Sequence, residues 1–145
     1  MKGRPVDILL VEDDPAHAEI VRRNFESFRI ANRLIHVADG RAALDYLQRP
    51  DPREDSEGPL PNLILLDLRL PKIDGLEVLR VLKGSPGLRE IPVVVLTTSA
   101  SDKDIAQAYD LGANSYLVKP VGYKPFCEMM TTLGYYWLAW NRYPR

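Results

Sequence analysis

An α/β fold with an open parallel sheet and helices on both faces is what this sequence predicts, and three observations predict it. Short apolar runs rich in Val, Ile and Leu alternate with stretches of helical period along all 145 residues. The runs are continuous rather than alternating, which is the pattern of strands covered on both faces. A chain that keeps switching between the two must connect its strands by helical crossovers, and these are right-handed.

The elements follow in order. Strands are predicted over 6–11, a weaker 34–38, 63–67, 91–97 and 115–119. A first helix over 15–28 carries Ile20, Val21, Asn24, Phe25 and Phe28 on one stripe, and Pro15 suits a first helical position. Asp39 can cap a short helix over 40–48, while 75–83 places Leu76, Leu79 and Leu82 at i, i+3 spacing. Ser101 and Asp104 read as a capping box for a helix over 102–111, ended by Gly112, where a left-handed residue costs little. A last helix begins near Pro125 and continues through Trp137 or beyond. The segment 50–61 breaks this rhythm with four of the twelve prolines and the charged residues Asp51, Arg53, Glu54, Asp55 and Glu57, so it reads as an exposed loop. No repeat and no linker divides the chain, and 145 residues suit one domain of the usual range of roughly 100–200.

Composition narrows the function. Lys and Arg total 19 against 20 Asp and Glu, a balance that lacks the basic footprint of nucleic-acid binding. Apolar runs such as 8–11 and 93–96 are far shorter than the roughly 18 residues that span a bilayer, and no apolar signal segment precedes Glu12, so a cytoplasmic protein is expected. The single Cys127 excludes an internal disulfide and a cysteine-based zinc site; it reads as a buried thiol on the last helix.

In an open parallel sheet, side chains at the carboxyl ends of the strands converge on one crevice. Here those ends carry Glu12, Asp13 and Asp14, then Asp67, then Thr97 and Thr98, then Lys119. Carboxylates meeting at one rim repel by about 4 kcal/mol per pair at ~4 Å and an effective dielectric near 20. A cation must sit among them, and Mg²⁺ suits because it keeps several waters and needs one or two carboxylates plus a phosphate oxygen. Lys119 then offers a point charge to a phosphate oxygen, the Thr97 hydroxyl can donate to another, and the central Asp67 is left as a nucleophile that would form an acyl phosphate.

The segments Leu10-Val-Glu-Asp-Asp-Pro15, Leu65-Leu-Asp-Leu-Arg-Leu-Pro71 with Asp74-Gly75, Val95-Leu-Thr-Thr-Ser99 and Leu117-Val-Lys-Pro120 closely resemble the response-regulator receiver domain of two-component signalling. The resemblance covers about residues 6–138 in order and spacing and leaves 139–145 as an aromatic tail. It implies a flavodoxin-like (βα)5 doubly wound sheet of strand order 2-1-3-4-5. It also implies that Asp67 is the phosphoacceptor and that Asp13, Asp67 and the Arg69 backbone carbonyl bind Mg²⁺, with Glu12 acting through water. Thr97 and Lys119 take the roles of switch hydroxyl and phosphate-pairing lysine, and Tyr116 resembles the switch aromatic that turns inward with Thr97. The Lys119-Pro120 bond is expected to be cis. Two departures stand out: Thr98 replaces a smaller residue and would narrow access to the site, and the cationic Arg69 would shield the acyl phosphate and slow its hydrolysis.

Competing readings are weaker. A degenerate receiver would lack competent residues at the key positions, and a dehalogenase-type phosphatase would need an acid at position 69, where Arg69 stands. The protein is therefore expected to be a signalling phosphoacceptor and no enzyme in the usual sense. His17, near the acids, reads as a packed or exposed helix residue in preference to a metal ligand, His36 carries no motif, and Tyr109 fits a partner surface or the core equally.

Output is then expected to be a binding event, with no effector segment read after the last helix. That helix can bury Phe126, Met129, Met130, Leu133 and Trp137 on one face, but not also Tyr136, Trp140 and Tyr143. The surplus points to a homodimer through the C-terminal segment, the alternative being a tail folded back on its own domain. The Pro-rich loop and the aromatic extension resemble stand-alone response regulators paired with bacterial and cyanobacterial phytochromes, which implies a light-sensing histidine kinase as donor. A phosphorelay shuttle that passes the phosphoryl group to a histidine phosphotransfer protein is the rival reading.

Overall fold

A computed structural model describes residues 5–50 and 60–141. Its elements run β1 (Val6–Val11), α1 (Pro15–Glu26), β2 (Asn32–Val37), α2 (Gly40–Leu47), β3 (Leu63–Leu66), α3 (Gly75–Gly84), β4 (Val93–Thr97), α4 (Asp102–Asp110), β5 (Ser115–Val118) and α5 (Tyr123–Gly134), followed by a π-helical segment (Tyr135–Trp140). The strands form one parallel sheet in the order β2-β1-β3-β4-β5. This is the flavodoxin-like arrangement that the resemblance implies.

The sheet divides the core in two. Alternate residues of β1 face opposite ways: Leu9 and Val11 pack with Leu47, Leu79 and Leu82 under α2 and α3, while Ile8 and Leu10 pack with Val21, Phe25 and Met130 under α1 and α5. Full burial of each such side chain contributes about 1.5–3 kcal/mol, so the central strands are the most firmly held elements. Every functional loop is thereby hung from the carboxyl edge of a rigid layer.

Helix starts follow the local chemistry. Asp14 caps α1 by accepting from the Ala16 and His17 N–H groups, with Pro15 in the first turn, and Asp39 caps α2 through Ala42. Gly112 closes α4 at φ +103°, as its position predicts. The capping box at α4 is only half made. Ser101 Oγ accepts from the Asp104 N–H, but the Ser101 N–H goes to Ser99 Oγ, which leaves the Asp104 carboxylate free for other partners.

Several boundaries move. β2 begins at Asn32, earlier than 34, because it pairs with the full length of β1 from Val6 onward. β4 begins at Val93 because Pro92 has no N–H to add to the ladder, although its carbonyl still accepts from Ile64. The last helix starts at Tyr123, where Gly122 at φ +100° turns the chain, and it widens into π geometry after Gly134. A Cβ at Gly134 would lie 2.2 Å from the Phe28 ring, so the chain just past α1 meets α5 where there is no side chain. The Lys119-Pro120 bond, expected to be cis, is trans, the isomer favoured by roughly 0.5–1 kcal/mol. The sheet register alone carries Lys119 to the rim, its N–H donating to Thr97 O at 2.7 Å.

Trp137 and Leu138 are buried by the π segment, while Tyr136 is 53% and Trp140 77% exposed. Of the face expected to be buried, Phe126, Met130, Leu133 and Trp137 are buried and Met129 is half-buried, while the surplus Tyr136 and Trp140 are exposed; Tyr143 and most of the 50–61 loop lie outside the described residues. Cys127 is half-buried rather than buried, because it sits at the edge of the face that α5 turns to the sheet, and Tyr109 is on the surface. No helix among the described residues is long and apolar enough to cross a membrane.

Candidate functional site

Five polar side chains that the sequence places at strand ends meet at one rim. Glu12, Asp67, Thr97 and Lys119 are buried there, while Asp13 is exposed at its mouth. Carboxylate oxygens of Glu12, Asp13 and Asp67 lie within 4.8 Å of one another.

Lys119 holds the buried acids. Its ammonium has three protons and three acceptors: Glu12 Oε1 at 2.5 Å, Asp67 Oδ2 at 3.0 Å and His17 Nδ1 at 3.0 Å. The same His17 Nδ1 lies 3.5 Å from Asp14 Oδ2, and the ring packs against Phe126 with centroids 5.5 Å apart. His17 therefore belongs to the rim, a placement the sequence reading did not choose. The hint was available, since His17 lies one turn beyond the acids and α1 begins at the same edge.

Burial pushes the Glu12 carboxyl up to about 7, and the hydrogen bond and charge of Lys119 pull against that rise. Both Glu12 oxygens are occupied, one by Lys119 and the other by the Asp14 N–H at 3.1 Å. Asp13 pairs with no cation among the described residues and is free to bind directly.

Asp67 is fixed by backbone. Its Oδ1 accepts from the Leu68 N–H at 2.7 Å and the Arg69 N–H at 3.4 Å, and its Oδ2 faces Lys119. The following loop folds back onto α3, with the Gly75 N–H donating to Leu68 O at 2.9 Å. Thr97 Oγ1 lies 3.4 Å from the Ser99 N–H, and Thr98 is exposed beside it. The Tyr116 hydroxyl donates to Ser99 O at 2.9 Å, and burial raises its pKa, so it remains a donor at neutral pH.

Arg69, read from the sequence as a cation that would shield the acyl phosphate, is tied to α4. Its guanidinium is bound to the Asp104 carboxylate at 2.5 Å, because the incomplete capping box leaves that carboxylate available. Asp104 is a second residue of this region that sequence reasoning missed; a first-turn acid is ordinarily only a cap.

Three clustered carboxylates with a lysine, a hydroxyl and backbone donors can hold a hard divalent cation and a phosphoryl group together. A sequence profile described as the response regulator receiver domain matches residues 8–131. The chain belongs to the response regulator receiver family. This receiver is 49% identical over 140 residues to the probable methanogenesis regulatory protein FilR2 of Methanothrix harundinacea, covering 97% of this chain and 88% of that one. It is 45% identical over 134 residues to the response regulator Rcp1 of Synechocystis, covering 92% and 90%. Among solved structures, the Mn²⁺-bound form of Rcp1 superposes with a TM-score of 0.91 at 42% identity, covering 97% and 100% of the two chains. The phosphorylated cyanobacterial phytochrome response regulator RcpA gives 0.90 at 35%, covering 98% and 100%. The receiver is thus similar over nearly its whole length to stand-alone phytochrome response regulators.

The acid cluster fits a divalent cation by its donor chemistry, since all three groups offer hard oxygen. Rcp1, a relative of this receiver, is known in a Mn²⁺-bound form.

Proposed function

We propose that this receiver accepts a phosphoryl group on Asp67 from the phosphohistidine of a sensor kinase and signals by changed protein contacts, without acting as an enzyme on other substrates. The observation that carries the reading is the Asp67 carboxylate, held by two backbone N–H groups and Lys119 beside Glu12 and Asp13. An Asp67 oxygen attacks phosphorus, the P–N bond of the phosphohistidine breaks, and the imidazole leaves with the electron pair. Asp13, Asp67 and the Arg69 carbonyl would hold Mg²⁺, with Glu12 acting through water; when bound, the ion offsets charge on the transferring phosphoryl oxygens. Lys119 exchanges a carboxylate or imidazole partner for a phosphoryl oxygen, and the Thr97 hydroxyl donates to another. Tyr116, released from Ser99, follows Thr97 inward, while Thr98 narrows the entrance for donors.

The chain acts as one cytoplasmic receiver domain over 1–145, with 139–145 as its aromatic tail and no direct contact with nucleic acid or membrane. The exposed Tyr136 and Trp140 support pairing of two copies through the C-terminal segment, to which Tyr143 belongs. Light scattering is expected to give a dimer for the full chain and a monomer for Trp140→Ala; a wild-type monomer would contradict this.

A phytochrome is the donor that the likeness to the phytochrome response regulator RcpA and the bacteriophytochrome response regulator AtBRR supports. Transfer of labelled phosphate from an autophosphorylated phytochrome kinase is expected to load the receiver, absent in Asp67→Asn. A persistent label marks a switch; rapid passage to a histidine phosphotransfer protein marks a shuttle. No transfer from a phytochrome, with transfer from another histidine kinase, would contradict the phytochrome pairing alone.

A further inference from the structure

The acids of β1 stand just past the last rung of its ladder with β2. In a parallel pair, a residue that donates its N–H to the neighbouring strand also accepts at its C=O, from an N–H two residues further along that neighbour. The Glu12 N–H donates to Val37 O at 3.0 Å, so the ladder would next bring the N–H of residue 39 to Glu12 O. β2 ends at Val37, however, and the chain leaves for α2, which Asp39 caps. No backbone N–H among the described residues is bonded to Glu12 O. His36 fills the place, with Nε2 2.7 Å from that oxygen. A carbonyl oxygen can only accept, so Nε2 carries the proton whether the ring is neutral or charged. Leu34 packs under α1, and the two-residue period of a strand puts His36 on the same face, at the exposed end beside the acids.

We infer that His36 is a positioning residue: by holding the peptide between Glu12 and Asp13 it fixes the Asp13 carboxylate beside Asp67 and so raises the affinity of the rim for a divalent cation. The inference rests on the reading that Glu12, Asp13 and Asp67 hold such an ion.

The three acids differ in what holds them. Glu12 is buried and bonded through its own carboxylate to Lys119, and Asp67 is held by two backbone N–H groups and Lys119. The Asp13 side chain is exposed and makes no hydrogen bond or ion pair among the described residues, so its main chain determines where its carboxylate stands. That main chain is tied on both sides: the Glu12 carbonyl before it to His36, and the Asp14 N–H after it to Glu12 Oε2 at 3.1 Å. A ligand on an unheld main chain must be ordered when the ion arrives, which weakens binding, whereas one already in place adds its full attraction. A hydrogen bond one step behind a metal ligand acts in this way, by orienting the group that binds.

The test is calorimetric titration of the unphosphorylated full-length protein with Mg²⁺, with no phosphodonor present. His36→Ala is expected to weaken Mg²⁺ binding on the order of tenfold, the lower end for loss of a partner that orients a metal ligand. The amide nitrogen of a glutamine can stand where Nε2 does, whereas that of an asparagine stops near the Nδ1 position. His36→Gln is therefore expected to restore most of the affinity and His36→Asn to bind as weakly as His36→Ala, a contrast that a general loss of stability would not produce. In an Asp13→Asn background, His36→Ala should cause no further loss, because both act through one ligand. With acetyl phosphate as donor, the Mg²⁺ concentration for half-maximal loading should rise in His36→Ala by the same factor, with the rate at saturating Mg²⁺ retained. If His36→Ala folds poorly, the comparison of His36→Gln with His36→Asn decides alone. Wild-type Mg²⁺ affinity in His36→Ala overturns the proposal, with or without a lower melting temperature, as does a His36→Gln protein that binds no better than His36→Asn. Failure of the wild-type protein to bind Mg²⁺ overturns the metal reading and the role of His36 together, whereas equal binding by wild type and variants overturns the role of His36 only.

Discussion

Lys119→Met is expected to destabilise the metal-free protein by about 3 kcal/mol at pH 8 and to reduce phosphorylation by small donors at least ~100-fold. Its ammonium is, among the described residues, the cation bonded to both Glu12 and Asp67, and its side chain is 2% exposed. Without it, two buried carboxylates face each other beside Asp13. The loss depends on pH in a defined sense. Glu12 already sits near 7, against 4.5 for an ordinary glutamate, because burial outweighs the pull of Lys119. Between those values the folded state carries a proton that the unfolded state has lost, so stability falls as pH rises through this window. Removing Lys119 removes the pull, so the folded-state value rises further and the penalty extends above pH 7. Urea denaturation in chelator at pH 6 and pH 8 checks this: the gap between wild type and variant should widen at the higher pH. An equal gap at both would mean that Glu12 does not take up the proton.

Gly75→Ala is expected to be nearly as damaging, for a reason of shape. A Cβ there would stand 2.2 Å from the Asp67 carbonyl oxygen and 2.6 Å from Leu68 Cα, both backbone atoms with no rotamer to yield. The chain must move at the phosphoacceptor itself. Overpacking of this kind costs about 1–3 kcal/mol, and the displaced Leu68 and Arg69 N–H groups would no longer hold Asp67 Oδ1. Phosphorylation should fall by on the order of 100-fold, the effect of misplacing a reacting group by ~1 Å. Wild-type loading in a stable Gly75→Ala protein would show that the loop relaxes elsewhere.

The residues that do the proposed chemistry are legible in the sequence because each is the polar residue that ends an apolar strand. Asp67 follows β3, Thr97 ends β4 and Lys119 follows β5, and a parallel sheet brings such positions to one edge whatever the loops do. Gly112 and the caps at Asp14 and Asp39 are legible because they answer to local backbone needs. The pairing of Asp104 with Arg69 is not. It depends on which acceptor satisfies the Ser101 N–H, and sequence spacing alone suggests the ordinary capping box. His17 is hidden for a similar reason, since only the assembled rim shows that Lys119 has a third proton to place. The π geometry after Gly134 has no periodic signature either. It arises where α5 passes Phe28 at contact distance and then turns Trp137 and Leu138 into the core. The register of β2 is set by its partner strand, so its start lay beyond a reading of its own residues.

The proposed signalling role requires a covalent bond at Asp67. Intact-mass measurement after incubation with Mg²⁺ and acetyl phosphate, run beside Asp67→Asn and a chelated sample, tests it most directly. The expected result is a single phosphoryl adduct on wild-type protein, absent from both controls. An adduct that persists in Asp67→Asn, or failure of wild type to load from either acetyl phosphate or a histidine kinase, would contradict it and leave the rim as a structural ion cluster.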